Sequence, residues 1–314
     1  MHKKTGFLFP GQGSQFVGMG KDLASESQNI KKIFQQVDEI CQRPISELCF
    51  EGPMNELTLT VNLQPAVTSV SLACLAAINE SDVFPTISSG HSLGEYGALV
   101  SGGVLSTYDA LRLVQKRGEL MHREAVRNPG SMAAVIGMDI DSVRDIVTIA
   151  REKDTLAVAN HNTAEQIVIT GENAAVSRAL QLVKERKGKA VPLKVSGAWH
   201  SGLMQRAVGE FRQFMEQVTF KRPESSVLFN ATAEEENDPE KIKDIMAEQL
   251  VTPVRWYDIM QKMIEDGVDC FVEVGPGKVL TGLLKKILPS ENQVGIYNIQ
   301  DIESLRGFLK EIKV

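Results

Sequence analysis

The chain has 314 residues, 43% of them hydrophobic, and a formal net charge of −6 at pH 7, which argues against general nucleic-acid binding. We find no apolar run long enough to cross a membrane and no secretory signal at the start. The four cysteines have neither metal-site nor disulfide spacing, so we expect a cytoplasmic protein with free thiols.

The first part of the chain alternates short apolar strands with amphipathic helices. A strand at 7–9 is stopped by Pro10-Gly11-Gln12-Gly13, and another ends at Ser89. Apolar residues at helical spacing predict helices in the intervals between and after these strands. They cover about 25–41, 64–78, a segment starting at Glu95, and 109–127 with Ser106 or Thr107 as the cap.

The middle of the chain has a different order of predicted strands and helices. Its predicted elements are strand 132–136, helix 140–153, strands 156–160 and 166–170, helix 174–187 and strand 190–195. The order β-α-β-β-α-β is the ferredoxin-like pattern. We therefore predict a small domain, 129–196, inserted into a larger domain formed by 1–128 and 197–314.

The last part of the chain returns to the first pattern. Strands are predicted at 226–230 and 270–274, and a helix from Gly277 to about Ile287. The fold class is therefore α/β with a largely parallel sheet. Glycine-rich turns follow three of its strands, and ligands bind at that edge of such a sheet. Neither a dinucleotide nor a P-loop fingerprint is present in these turns.

The segment Gly90-His91-Ser92-Leu93-Gly94 has the G-x-S-x-G form of a nucleophile elbow. In such an elbow the serine lies on a sharp turn between a strand and a helix, which exposes its hydroxyl. A strand-like segment precedes this motif and a helix-like segment follows it. Ser92 is therefore the candidate nucleophile.

A serine nucleophile needs a base, and His200 is the best of the five histidines because the chain re-enters the larger domain there. The alternative is a capping or core histidine. The other four lie in the terminal tail, beside the serine, on a charged helix end and between two strands of the insertion (His2, His91, His122 and His161). No carboxylate stands out as a third member, so a backbone carbonyl or an amide could orient the imidazole.

Arg117 lies on an apolar helical stripe, where an unpaired charge is costly. A structural salt bridge and a bidentate clamp on a substrate carboxylate both explain it. The residues leave these alternatives open.

Eight segments, in order along the chain, resemble those of the malonyl-CoA:acyl carrier protein transacylase family. They are FPGQGSQ at 9–15, GHSLGEY at 90–96, QKRG at 115–118, NHN at 160–162, QIVITG at 166–171, WHS at 199–201, QL at 249–250 with PVRW at 253–256, and EVGPGKVL at 273–280. The resemblance implies an α/β-hydrolase-like core with a ferredoxin-like insertion. It also implies ping-pong transfer of malonyl from CoA to the phosphopantetheine thiol of acyl carrier protein, which supplies fatty acid elongation.

By the same resemblance, Ser92 would carry the malonyl group with His200 as its base. Backbone N–H groups of Gln12 and Leu93 would form the oxyanion hole. Gln249 would orient His200 in place of the missing carboxylate.

The resemblance also implies the residues that hold the substrate. Arg117 would bind the free carboxylate of malonate, and Gln64, Asn160 and Asn162 match positions near the substrate channel. Many members of the family carry a smaller side chain at Trp199. We expect this tryptophan to narrow the acyl pocket and to favour malonyl over methylmalonyl.

The expected partners are malonyl-CoA and acyl carrier protein, with no nucleic acid, membrane, metal or cofactor, in a monomer. Six basic side chains are candidates for docking the acidic carrier, although a solvated helix face explains them equally well: Lys184, Arg186, Lys187, Lys189, Lys285 and Lys286. Other activities of this fold are loading of a polyketide synthase or of malonate decarboxylase. A different class is a hydrolase of neutral esters, which has no use for Arg117.

Overall fold

The computed structural model describes residues 4–289, 291 and 293–312, so His2 lies outside the described residues. Its strands are β1 (Thr5–Phe9), β2 (Ile87–Gly90), β3 (Gly130–Ile136), β4 (Leu156–Thr163), β5 (Gln166–Glu172), β6 (Lys189–Pro192), β7 (Ser226–Leu228), β8 (Cys270–Val274) and β9 (Gly295–Ile299). Its helices are α1 (Gln28–Cys41), α2 (Ile45–Glu51), α3 (Met54–Leu57), α4 (Thr60–Asn79), α5 (Glu95–Ser101), α6 (Thr107–Arg127), α7 (Ile140–Arg151), α8 (Asn173–Glu185), α9 (Gln205–Met215), α10 (Pro239–Glu248), α11 (Trp256–Glu265), α12 (Val279–Ile287) and α13 (Ile302–Ile312).

The larger sheet is parallel, with the strand order β7-β2-β1-β8-β9. Phe9 pairs with Gly90, and Leu8 pairs with Glu273, so β1, β2 and β8 end at the same edge. The turns after these strands are in contact, because a Cβ added at Gly11 would lie 2.4 Å from the carbonyl oxygen of His91. The predicted α/β class with a parallel sheet is confirmed.

Helix α4 packs in the core beside this sheet, and nearly all of its residues are buried. By length and composition it could cross a membrane, but polar residues such as Asn62, Gln64 and Ser69 interrupt it, in agreement with the prediction of no uninterrupted apolar run. Moreover, 89% of its most apolar window is buried inside the protein. A core helix passes the same test.

The second sheet is antiparallel, with the order β4-β5-β3-β6, and the chain runs through it as β3-α7-β4-β5-α8-β6. Alternate residues of β3 face opposite sides. Ala133 and Val135 pack with α7 and α8 in a small core, whereas Met132 belongs to the main core. The ferredoxin-like order is therefore present, and the domain limits 1–128, 129–196 and 197–314 stay a prediction.

The two sheets are connected through β4. Asn160 forms a parallel bridge with Val254, a residue that follows α10. The N–H of His161 donates to the carbonyl of Val254 at 2.9 Å, and the N–H of Val254 donates to the carbonyl of Ala159 at 2.8 Å. The antiparallel sheet is thus hydrogen-bonded to a segment of the larger part of the chain.

Several details differ from the prediction. His161 lies within β4, not between two strands, because β4 extends to Thr163. Strand β6 ends at Pro192 rather than at residue 195. The structure also contains elements that were not predicted, namely α2, α3, α9, α10, α11, β9 and α13.

Candidate active site

Ser92 lies on the turn between β2 and α5, where its φ of +52° places it in the left-handed region. This conformation is uncommon for a residue with a side chain. The turn requires both flanking glycines. A Cβ at Gly90 would lie 1.9 Å from the carbonyl carbon of Gly94, and a Cβ at Gly94 would lie 1.9 Å from the carbonyl oxygen of Phe9.

The structure brings Ser92 and His200 together, with 2.8 Å between Oγ and Nε2. Nδ1 of His200 lies 2.8 Å from the carbonyl oxygen of Gln249 and 3.1 Å from that of Thr252. Carbonyl oxygens only accept, so Nδ1 carries the hydrogen and Nε2 accepts from the serine. Burial and the nearby Arg117 lower the pKa of His200 to about 3, so the imidazole is a neutral base at neutral pH.

Gln249 contacts His200 through its main chain only. Its side-chain oxygen accepts from Nη2 of Arg117 at 2.9 Å. Its side-chain nitrogen donates to the carbonyl oxygen of Ser92 at 2.9 Å and also to Glu95. The backbone carbonyl therefore holds the imidazole, while the amide holds the arginine and the elbow.

Arg117 is 1% exposed and lies beside the nucleophile. Its guanidinium donates to Gln64 Oε1 at 2.9 Å, to Gln249 Oε1 at 2.9 Å and to Ser92 Oγ at 3.2 Å. No carboxylate forms an ion pair with it among the described residues, which argues against the salt-bridge alternative. Its Nε has no hydrogen-bond partner among those residues either. The positively charged guanidinium can therefore bind an anion.

A pocket opens between the two sheets and reaches Ser92. Its lining residues come from the glycine-rich turns, α6, the antiparallel sheet, the segment before His200 and α12: Gly11, Gln12, His91, Ser92, Leu93, Arg117, Met121, Met132, Asn160, Asn162, Gln166, Val168, Leu193, Val195, Trp199, His200, Val279, Leu280 and Leu283. Within the described part of the chain, no group of three His, Cys, Asp or Glu side chains could hold a metal ion. The wall is mostly apolar, and His200 and Arg117 are the lining side chains within hydrogen-bond distance of the Ser92 hydroxyl among the described residues.

Most of the predicted site residues line this pocket. Gln12 and Leu93 lie beside the serine, and Asn160 and Trp199 form part of the wall. Gln64 is not part of the lining and reaches the site through two lining residues, since it accepts from Arg117 at 2.9 Å and donates to Met121 Sδ at 3.3 Å.

Three further residues contact the site although their sequence context did not single them out. His91 lines the pocket, and its Nε2 lies 2.8 Å from Oδ1 of Asn162. Asn230 accepts from the N–H of Ser92 at 2.6 Å. Glu95 bonds to both Asn230 and Gln249. Two sequence signals could have identified Asn230 and Glu95. Asn230 is a polar residue at the end of a predicted buried strand, and Glu95 is an acidic residue at the start of an apolar helix.

The chain is similar to known acyltransferases over nearly its full length. The acyl transferase domain family matches residues 6–307. The malonyl CoA-acyl carrier protein transacylase of Bacillus subtilis (strain 168) is 41% identical over 310 residues, which are 98% of each chain. The malonyl CoA-acyl carrier protein transacylase structure from Coxiella burnetii has a TM-score of 0.94 at 33% identity, covering 99% of this chain and 98% of that one.

A second similar structure contains a partner. It is a malonyl-transacylase in complex with a type II PKS acyl-carrier protein, with a TM-score of 0.92 and 35% identity. The match covers 98% of this chain and 99% of that one.

Proposed function

Since the chain belongs to the acyl transferase family, and within it to the malonyl CoA-acyl carrier protein transacylases, we propose that it transfers malonyl from CoA to acyl carrier protein through an ester on Ser92. One observation carries the proposal. The guanidinium of Arg117 lies 3.2 Å from the serine oxygen, beside a neutral histidine, with no carboxylate partner among the described residues. An acyl group with a free carboxylate fits this arrangement, whereas a neutral acyl group leaves the arginine unused.

In the first half-reaction, Nε2 of His200 takes the proton of Ser92 as Oγ attacks the thioester carbonyl of malonyl-CoA. The tetrahedral oxyanion is stabilised by the backbone N–H groups of Gln12 and Leu93, each worth about 3 kcal/mol. The carbon–sulfur bond then breaks, and the CoA sulfur leaves with the proton from His200. Malonyl remains as an ester on the serine.

In the second half-reaction, the phosphopantetheine thiol of acyl carrier protein gives its proton to His200. Its sulfur attacks the ester carbonyl, and the bond to Ser92 Oγ breaks. The serine oxygen recovers the proton from His200. Acyl transfer is therefore ping-pong, with the same base serving both directions.

Arg117 holds the free carboxylate of malonate throughout both steps. Its bonds to Gln64 and Gln249 fix the guanidinium plane, so that the fork presents one orientation to the substrate. Asn162 and Trp199 line the wall of the pocket around the acyl group. The monomeric state, the cytoplasmic location and the absence of a cofactor stay predictions.

A second carrier is a specific alternative. The similar structure in complex with a type II PKS acyl-carrier protein favours testing a polyketide carrier beside a fatty acid carrier. Transfer rates to the two carriers, measured with one malonyl-enzyme preparation, decide between them.

The proposal is tested by intact mass spectrometry after brief exposure of the protein to malonyl-CoA. We expect a single malonyl adduct on the wild type, its loss when holo acyl carrier protein is added, and no adduct on Ser92→Ala. An adduct on Ser92→Ala, or none on the wild type, would contradict the proposal. Acetyl-CoA serves as the matched control thioester.

A further inference from the structure

Glu95 is a fully buried acidic residue at the start of α5, three positions after the nucleophile. Burial raises the pKa of its carboxyl group to about 8, while hydrogen bonds from Asn230 and Gln249 and the charge of Arg117 act in the opposite direction. The acyl-transfer steps derived above do not use this group. A buried carboxyl group is costly to keep unless it has a structural or catalytic role.

Both oxygens of Glu95 are occupied by donors from distant parts of the chain. Oε1 accepts from the backbone N–H of Asn230, which follows β7. Oε2 accepts from the side-chain amide of Gln249, which follows α10. Glu95 therefore joins two segments that the parallel sheet does not itself connect at this point.

The same two residues hold the peptide groups of the nucleophile. Oδ1 of Asn230 accepts from the N–H of Ser92 at 2.6 Å, and its Nδ2 donates to the carbonyl of Gly90 at 2.7 Å. Nε2 of Gln249 donates to the carbonyl of Ser92 at 2.9 Å. Ser92 is thus bonded on both sides while it keeps its left-handed φ of +52°.

We propose that Glu95 is a positioning residue for the nucleophile, because it fixes the Asn230 and Gln249 groups that hold Ser92 in its strained turn. The inference deepens the proposed function and rests on Ser92 being the nucleophile. Glu95 acts on the turn that holds Ser92, not on the substrate carboxylate.

The chemistry of the site requires a carboxyl group rather than an amide. A carboxyl group keeps an acceptor lone pair on each oxygen, whether or not it is ionised, whereas an amide nitrogen has none. Glutamine at position 95 would fill the same space but turn an N–H group toward Asn230 or Gln249, both of which donate. One of the two bonds must therefore be lost in Glu95→Gln.

The test measures the reactivity of Ser92 in the full-length protein with phenylmethylsulfonyl fluoride, a neutral reagent that needs no malonyl site. For Glu95→Gln we expect the sulfonylation rate and kcat for malonyl transfer to fall by the same factor, about 10-fold or more. We expect KM for malonyl-CoA to stay within about twofold, since Arg117 keeps its bond to Gln64. Ser92→Ala controls for labelling elsewhere.

Glu124→Gln is the matched control. Glu124 is also fully buried, on α6, but it pairs with Arg123 and Arg127 and does not line the pocket. Its substitution tests whether the loss of any buried carboxyl group lowers the sulfonylation rate of Ser92. We expect lower thermal stability without a comparable fall in the sulfonylation rate.

An unchanged sulfonylation rate in folded Glu95→Gln would overturn the inference, as would equal slowing by Glu124→Gln. If Glu95→Gln does not fold, Asn230→Ala gives the second test, because it keeps the backbone N–H that Glu95 accepts and removes the amide that holds Ser92. It must slow sulfonylation as well, and a wild-type rate would overturn the inference. Wild-type protein that is sulfonylated but never malonylated contradicts the proposed function alone.

Discussion

The parallel and antiparallel sheets contribute to the pocket in different ways. The parallel sheet contributes its ends, where tight turns hold Gln12, Ser92 and Leu93 at one edge. The antiparallel sheet contributes a face, from which Met132 and Val168 reach the pocket while alternate residues fill the small core. Strand ends can fix one atom in a strained position, whereas a sheet face forms a wall. We therefore expect reaction chemistry in the first region and substrate fit in the second.

The largest effect is expected from Arg117→Ala, on helix α6, which packs against α4. Removing one partner of a buried charged contact should lower kcat/KM for malonyl-CoA by about 100-fold. Transfer of acetyl from acetyl-CoA should be spared, since it has no carboxylate to bind. Steady-state rates with both thioesters check this, and acetyl transfer also reports on folding. Equal losses for both substrates would count against the clamp.

Asn162→Ala tests the wall formed by the antiparallel sheet. It removes the partner of His91 and a polar group of the pocket, a loss of about 1 kcal/mol. We expect KM for malonyl-CoA to rise about fivefold while kcat changes little. Asn173→Ala, on α8 and outside the pocket lining, is the control. A fall in kcat that exceeds the rise in KM would contradict the assignment of substrate fit, rather than chemistry, to the antiparallel sheet.

Trp199→Phe tests the segment that connects the two regions. The indole lines the pocket and packs against Gly197, so a smaller ring leaves room for a branched acyl group. The ratio of kcat/KM for methylmalonyl-CoA to that for malonyl-CoA should rise about 10-fold. Competition between the two thioesters gives this ratio directly. Equal turnover of both by the wild type would contradict the predicted role of Trp199.

The smallest effect is expected from Lys286→Glu. Lys286 is exposed on α12, and its Nζ lies 3.3 Å from Oε1 of Gln166 at the pocket. For an acidic carrier protein, KM should rise about threefold at low salt, and the difference should shrink as salt is added. Lys184→Glu, on α8, is the matched reversal away from the pocket lining. Equal increases in KM for both reversals would indicate a general effect of charge and would contradict docking at α12.

Much of the fold could be predicted because its signals are local. Apolar runs ending at glycine indicated β1, β2 and β8, and Ser106 capped α6 as expected, accepting from the N–H of Asp109. Helix α9 was missed although Ala207, Phe211 and Met215 have helical spacing. Strand β9 gave no such signal, because most of its side chains are only half-buried.

The site was less predictable than the fold. Ser92, His200 and Arg117 carry chemistry in their side chains, so residue type together with sequence context pointed to them. Gln249 holds His200 with its backbone carbonyl, which side-chain identity cannot reveal. Asn230 bonds to Ser92 across 138 positions of sequence, so no local pattern connects the two residues. Such contacts depend on the tertiary fold.

The bridge between β4 and Val254 links the width of the cleft to the alignment of the base. The carbonyls that hold His200 belong to Gln249 and Thr252, just before the residue that β4 binds. A hinge motion that separated the two sheets would break these backbone bonds or draw the acceptors of His200 away from Ser92. One short segment of the chain, 249–254, therefore both holds the imidazole of His200 and joins the antiparallel sheet to the larger part of the protein.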